Sequence, residues 1–181
     1  MKTYLEIKVP INYDEHWFEE LRSRFSGIPV RWQKGFYHIT MVFVDEAPKD
    51  VDMRPILKRH FANEVAPVLT FDRLDIFSTR SGMHVIHLSA SQVPERFLTL
   101  TESIRKDMKT AGCLIQSDFM LHVTLGRLRD FNNQTLVLKD LVKSFPLLPF
   151  TLTLTDVDYR VFRGKTIFET CMPVEQKHLI L

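Results

Sequence analysis

Hydrophobic positions along the chain switch between a two-residue and a three-to-four-residue period, and the switches predict the elements. Residues 3–9 alternate and predict a strand. Residues 14–25 carry Trp17, Phe18, Leu21 and Phe25 on one helical stripe, with Asn12 placed as an N-cap. Residues 37–44 are β-branched and aromatic, a strand halted by 45–49, and 51–65 return to helical spacing through Ile56, Leu57, His60 and Phe61. Two extended runs come next, 68–78 and 83–89, joined by the turn Arg80-Ser81-Gly82. Residues 94–110 read as a helix with Pro94 in its first turn and Gly112 at its end. A strand over 119–128, a helix over 133–145 and a hairpin of 150–162 with 166–173 around Arg163-Gly164-Lys165 complete the chain.

Strands and helices alternate, but tight reversals at Gly82 and Gly164 are incompatible with a purely parallel sheet. The expected class is α+β: two pseudo-symmetric, mainly antiparallel sheets around a central cleft, with helices packed outside. The order of elements suggests duplication, since each half holds a helix, a strand containing His-x-Thr, a second helix and an extended hairpin. With no linker, repeat or low-complexity segment, residues 1–181 are expected to form one bilobal domain.

Composition narrows this picture only modestly. At 181 residues and 45% hydrophobic content the chain can build a real core. A net charge of +2 argues against wrapping long nucleic acid, yet permits a small anionic ligand or a few nucleotides. No long apolar run occurs, and MKTYLEIKVP alternates, which argues against a signal peptide and a membrane span. Cys113 and Cys171 are expected to be free, buried or half-buried thiols in a reducing, cytoplasmic setting.

The chemistry concentrates in two segments, His38-Ile39-Thr40-Met41 and His122-Val123-Thr124-Leu125, 84 residues apart. In a strand, residues i and i+2 share a face, so each segment presents an imidazole beside a hydroxyl and turns Ile39 or Val123 the other way. About half a His-x-Thr match is expected by chance in such a composition, so two matches with like flanks and symmetric placement carry weight. Displacement at phosphorus needs one proton removed and another delivered, and two imidazoles near neutral pH can divide that task. Threonine hydroxyls can hold the non-bridging phosphate oxygens.

Paired motifs of the form HITMVF and HVTLGR resemble those of the two-histidine (2H) phosphoesterase superfamily, in particular its 2′-5′ RNA ligase and RNA 2′,3′-cyclic phosphodiesterase (LigT-like) branch. The resemblance extends over nearly the whole chain in length, element order and motif spacing. It implies a bilobal fold and metal-independent hydrolysis of a 2′,3′-cyclic phosphate to a 2′-phosphate, with 2′-5′ joining of RNA ends as a related activity. His38 and His122 would be the acid/base pair, and Thr40, Thr124 and Arg127 the phosphate ligands. Strand alternation turns Arg127 away from His122 unless a bulge near Gly126 brings it back. Tyr37 stands where the family often has proline. The implied partners are RNA ends or small nucleotide phosphodiesters, with no cofactor, no membrane and a monomeric chain.

Other residues attract blander readings. His84 and His87, three apart in a strand, face opposite sides and read as structural, while His16, His60 and His178 read as surface residues. Arg31, Lys34 and Arg80 read as solvated charges near the motifs, and Phe36, Tyr37 and Phe119 as packing residues before base-stacking ones. Two competing functions use the same residues. One is a non-catalytic nucleotide- or RNA-binding module. The other is a metal-dependent hydrolase, which needs carboxylates converging on the histidines, and none adjoins either motif in sequence.

Overall fold

A computed structural model describes residues 1–79, 81–129 and 135–175. The first half contains β1 (Thr3–Lys8), α1 (His16–Arg24), β2 (Arg31–Trp32), β3 (His38–Val44), α2 (Arg54–Phe61), β4 (Val68–Phe71), β5 (Arg73–Ser78) and β6 (Met83–Ser89). The second contains α3 (Glu95–Thr110), β7 (Val123–Arg129), α4 (Thr135–Lys143), β8 (Phe150–Thr153), β9 (Asp156–Val161) and β10 (Thr166–Cys171). The expected α+β class and antiparallel pairing are both present.

The two expected sheets are the halves of one hydrogen-bonded surface, ordered β10-β9-β1-β3-β7-β6-β5, with β2 also pairing with β7. The halves join where β3 meets β7, at the pair Ile39 and Val123. These are the middle residues of the two His-x-Thr motifs. Around this joint β3 corresponds to β7, β1 to β6 and β9 to β5.

One face of the surface is apolar: Leu5, Ile7, Ile39, Ile86, Leu88, Val123 and Leu125 are fully buried. The helices close this core with the stripes their periodicity predicts. Phe18 and Leu21 come from α1, Leu57 and Phe61 from α2, Ile104 and Met108 from α3, and Leu138 and Val142 from α4.

Each motif is followed by a β-bulge. On β3 the register with β1 passes from Glu6–Thr40 to Leu5–Val42, leaving Met41 unpaired. On β7 the register with β6 passes from His87–Thr124 to Ile86–Gly126, leaving Leu125 unpaired. An extra residue reverses the in/out phase beyond it. Val42, Val44 and Leu128 therefore point into the core, and Phe43 and Arg127 point out on the motif face.

Several sequence expectations are corrected. The runs 68–78 and 150–162 each break in two, at Asp72 and at Leu154–Thr155, and the freed pieces β4 and β8 pair with each other apart from the main surface. Asp72 makes its corner by accepting hydrogen bonds from the Ser91 backbone N–H at 2.8 Å and the Ser91 hydroxyl. The α1 cap is Glu15, not Asn12, and its carboxylate accepts from the Asn12 backbone N–H at 2.7 Å. Pro94 is the N-cap of α3, α2 spans only Arg54–Phe61, and β7 begins at Val123. The residues immediately before α4 and Arg80 of the predicted turn lie outside the described residues. Cys113 is buried, whereas Cys171 is exposed. At the last hairpin Arg163 takes the left-handed conformation (φ 57°), while Gly164 is required for space against Val161.

Gly126 has a similar steric role. A Cβ there would lie 2.8 Å from both Trp32 Cε3 and Val30 Cγ1, so only glycine lets β2 cross the second motif. Gly126→Ala is expected to displace Trp32 and destabilise the fold by about 1–3 kcal/mol. Urea unfolding of the two proteins checks this, and an unchanged midpoint would mean that β2 does not depend on the close approach.

Candidate active site

The joint between the halves places the chemistry. With Ile39 opposite Val123, antiparallel counting sets His38 beside Thr124 and Thr40 beside His122, all on the face away from the apolar core. The bulge at Leu125 supplies the change of phase that Arg127 needs, and its guanidinium acts electrostatically on both His38 and His122. Thus the five residues singled out from the sequence lie on one side of the surface, around its two-fold joint.

A pocket of about 370 Å³ opens beside Thr40 and His122. Phe43, Phe77, Phe119 and Met120 wall it, with Arg105 and Ser117 at its edge. Of the three aromatics weighed from the sequence, Phe119 lines this pocket and Phe36 lies 5.3 Å from the His38 ring. Tyr37 is core, only 2% exposed, and its hydroxyl donates to the Gln33 carbonyl at 2.8 Å. Arg31 pairs with Arg127 across β2 and β7, Lys34 lies over the Tyr13 ring, and Arg80 is outside the described residues.

Tertiary structure adds neighbours that no local pattern marks. Glu6 on β1 stands opposite Thr40, fully buried, with Oε2 3.6 Å from His38 Nε2 and Oε1 3.6 Å from Arg160 Nη1. His87 on β6 stands opposite Thr124, and its ring lies 5.8 Å from that of His122 at a steep angle. The rows extend one strand further in the same way, Glu6 opposite Asp158 on β9 and His87 opposite Asp75 on β5. The first half therefore carries Thr40-Glu6-Asp158 and the second Thr124-His87-Asp75.

These placements revise two sequence readings. A carboxylate does approach a motif histidine, contributed by β1 from far away in sequence. Yet among the described residues no group of three His, Cys, Asp or Glu side chains converges to hold a metal ion. His84 and His87 do face opposite sides of β6, His84 contacting Ser78 Oγ at 2.9 Å while His87 lies against His122. His16 is exposed, but His60 is half-buried and bonded to Asp107 Oδ2 at 2.9 Å; His178 lies outside the described residues.

Burial governs the titration of the site. It lowers His38 to about 4, aided by His122, Arg127 and Arg160, and lowers His87 to about 4, aided by His122. His122 is also pushed down by burial, against the support of its hydrogen bond to the Met120 carbonyl. Burial pushes the Glu6 carboxyl the other way, up to about 7. The His122 Nδ1–H donates to Met120 O at 2.9 Å, which assigns the tautomer with a free lone pair on Nε2.

Residues 10–166 match the profile of the family described as the 2′-5′ RNA ligase superfamily. Among solved structures, Escherichia coli LigT complexed with 3′-AMP is similar at 20% identity and a TM-score of 0.57, over 97% of this chain and 98% of that one. Kluyveromyces marxianus Usb1 is similar at 9% identity and a TM-score of 0.57, over 94% and 98%. A Thermus thermophilus protein is similar at 15% identity and a TM-score of 0.55, over 97% and 100%. At such identities the likeness is one of fold. No curated protein sequence matches the chain. No helix among the described residues is long and apolar enough to cross a membrane.

The titration pattern predicts how stability responds to acid. Between pH 6.5 and about 4, unfolding lets His38, His87 and His122 take up protons that the folded site refuses. Glu6, already protonated in the folded chain up to about 7, offsets one of these. The unfolded state binds more protons in that window, so stability rises with pH through it and falls as the medium is acidified. Denaturant unfolding at several pH values should show this slope, and His87→Gln should flatten it by about one proton. A flat profile between pH 4 and 6.5 would contradict the burial assigned to the histidines.

Proposed function

The chain belongs to the 2′-5′ RNA ligase superfamily, and from that premise we propose that it is a metal-independent phosphodiesterase opening 2′,3′-cyclic phosphates of RNA ends or nucleotides to 2′-phosphates. The observation that carries this reading is the Ile39–Val123 pair. It sets two imidazoles and two hydroxyls around one axis, an arrangement able to remove one proton, deliver another and hold the phosphate for in-line displacement.

In this scheme the cyclic phosphate lies over the joint. The Thr40 and Thr124 hydroxyls donate to its non-bridging oxygens, and Arg127 offsets their charge. A water oxygen bonds to phosphorus as the bond to the 3′ oxygen breaks. One imidazole takes the proton of the water, and the other supplies a proton to the departing 3′ oxygen, so the product is a 2′-phosphate. The lone pair on His122 Nε2 is suited to accepting. The apolar pocket beside Thr40 and His122 offers room for a nucleoside, with Phe43, Phe77 and Phe119 available to its base. The similarity in fold to LigT, which was crystallised with 3′-AMP, is in keeping with a nucleotide as the class of ligand. Joining of RNA ends through a 2′-5′ linkage is the same displacement with a ribose hydroxyl as the other oxygen.

The test is turnover of a nucleoside 2′,3′-cyclic phosphate in the presence of chelator, with identification of the product isomer. His38→Ala and His122→Ala are each expected to lower kcat by about 10²–10⁴-fold. The double variant should fall little further, because the two groups act in one step. Activity surviving in either single variant would overturn the two-histidine reading. Tight nucleotide binding without turnover in the wild type would favour the binding-module reading instead.

A further inference from the structure

The pocket beside Thr40 and His122 is not uniformly apolar. Its edge carries Arg105 from α3, together with Ser117 and Asp118 from the segment leading into β7. Arg105 is only 4% exposed, a costly place for a guanidinium unless its N–H groups meet acceptors. The group has five donors in a planar fork. Nη2 donates to the Ser117 carbonyl at 2.7 Å, and Nε approaches Glu102 Oε1 at 3.1 Å without a hydrogen bond. Nη1 has no partner among the described residues, and Nη2 keeps a second N–H. Asp118 stands beside this fork, its side chain fully exposed and Oδ1 4.0 Å from Nη2. At that separation neither charge saturates the other.

We propose that Arg105 and Asp118 read the edge of the base held in this pocket, and that the base they select is guanine. This rests on the phosphodiester reading above, in which the nucleoside occupies the same pocket. The charges at the edge decide between the ligands an arginine could take. Glu102 and Asp118 flank the one guanidinium, so a second phosphate would meet two carboxylates, whereas a neutral ring meets a donor set beside an acceptor set. The walls agree, since Phe43, Phe77 and Phe119 suit a flat base rather than an anion.

Among the four bases, guanine presents the matching edge at both groups. Its O6 and N7 accept from the guanidinium fork, and its N1–H and N2 amino group donate to the two carboxylate oxygens. Adenine and cytosine place an amino group where O6 stands, opposite the donors of Arg105. Uracil offers an acceptor beside an N–H, but has neither N7 nor the second amino donor. The segment that carries Asp118 continues to Met120, whose carbonyl accepts from His122 Nδ1–H at 2.9 Å. One short stretch of chain thus meets the base edge and orients an imidazole at the phosphate.

The experiment measures, by calorimetry on the full chain, the Kd of the 2′-monophosphates of guanosine, inosine, adenosine, cytidine and uridine. Turnover of the corresponding 2′,3′-cyclic phosphates is recorded in parallel. Guanosine should bind at least about tenfold more tightly than adenosine or cytidine, and uridine no more tightly than inosine. Inosine keeps O6, N7 and N1–H but lacks the N2 amino group, so it should bind about fivefold more weakly than guanosine. In Asp118→Ala, guanosine and inosine should come within about twofold of each other, both still ahead of adenosine through Arg105. Because Arg105 also holds the Ser117 carbonyl, its contacts are tested by these changes in the ligand and not by its replacement. Adenosine or cytidine bound as tightly as guanosine, or a guanosine–inosine difference that survives in Asp118→Ala, would overturn the assignment. Guanosine preference in binding with no turnover of any cyclic phosphate would count against the phosphodiester reading alone. Turnover with equal affinity for all five would count against the base reading alone.

Discussion

The backbone pairing of Ile39 with Val123 is the constraint on which the rest of the site depends. Both side chains are buried in the apolar layer, and strand alternation then leaves His38, Thr40, His122 and Thr124 no choice of face. Moving either strand by one residue would bury the imidazoles and expose the aliphatic residues, at a cost in apolar burial that a single core cannot absorb. The hydrophobic effect therefore secures the register, and the register secures the chemistry. Continuity between the halves and integrity of the site are the same structural fact.

The paired bulges at Met41 and Leu125 extend this logic outward. Each lies directly after a motif threonine and reverses the facing of the residues beyond it. In the first half the outcome is Phe43 on the pocket wall, and in the second it is Arg127 turned toward the histidines. One backbone device repeated in two halves thus delivers an apolar group on one side and a cation on the other. The asymmetry is completed by Glu6 and His87, which occupy matching places with opposite tendencies toward a proton. A pseudo-symmetric frame with unlike buried groups suits a reaction in which one oxygen gains a proton as another loses one.

The extent to which this was legible in the sequence differs by element. The helices and most strands were readable because their periodicity is local, and turns at Gly82 and Gly164 because tight reversals need particular residues. The split of 68–78 into β4 and β5 was not, since an apolar run looks alike whether it stays in one sheet or turns a corner to pair with β8. The Asn12 cap failed because the helix begins only at His16, with Glu15 as its N-cap, which leaves Asn12 in the turn before it, its backbone N–H donating to the Glu15 carboxylate. Gly126 in the second motif carried no readable reason, its neighbours Val30 and Trp32 being nearly a hundred residues away.

From the sequence alone came the two motifs, the facing of each imidazole with its hydroxyl, the likeness of the halves and the α+β class. Each of these depends on side-chain period or local residue chemistry, which a linear chain expresses directly. Only the tertiary structure decided that the motifs abut through Ile39 and Val123, that Arg127 turns toward the histidines, and that Glu6 and His87 stand beside them. Those depend on which strands become neighbours and on how far water is excluded between them, and burial and proximity are properties of the folded chain rather than of any segment of it.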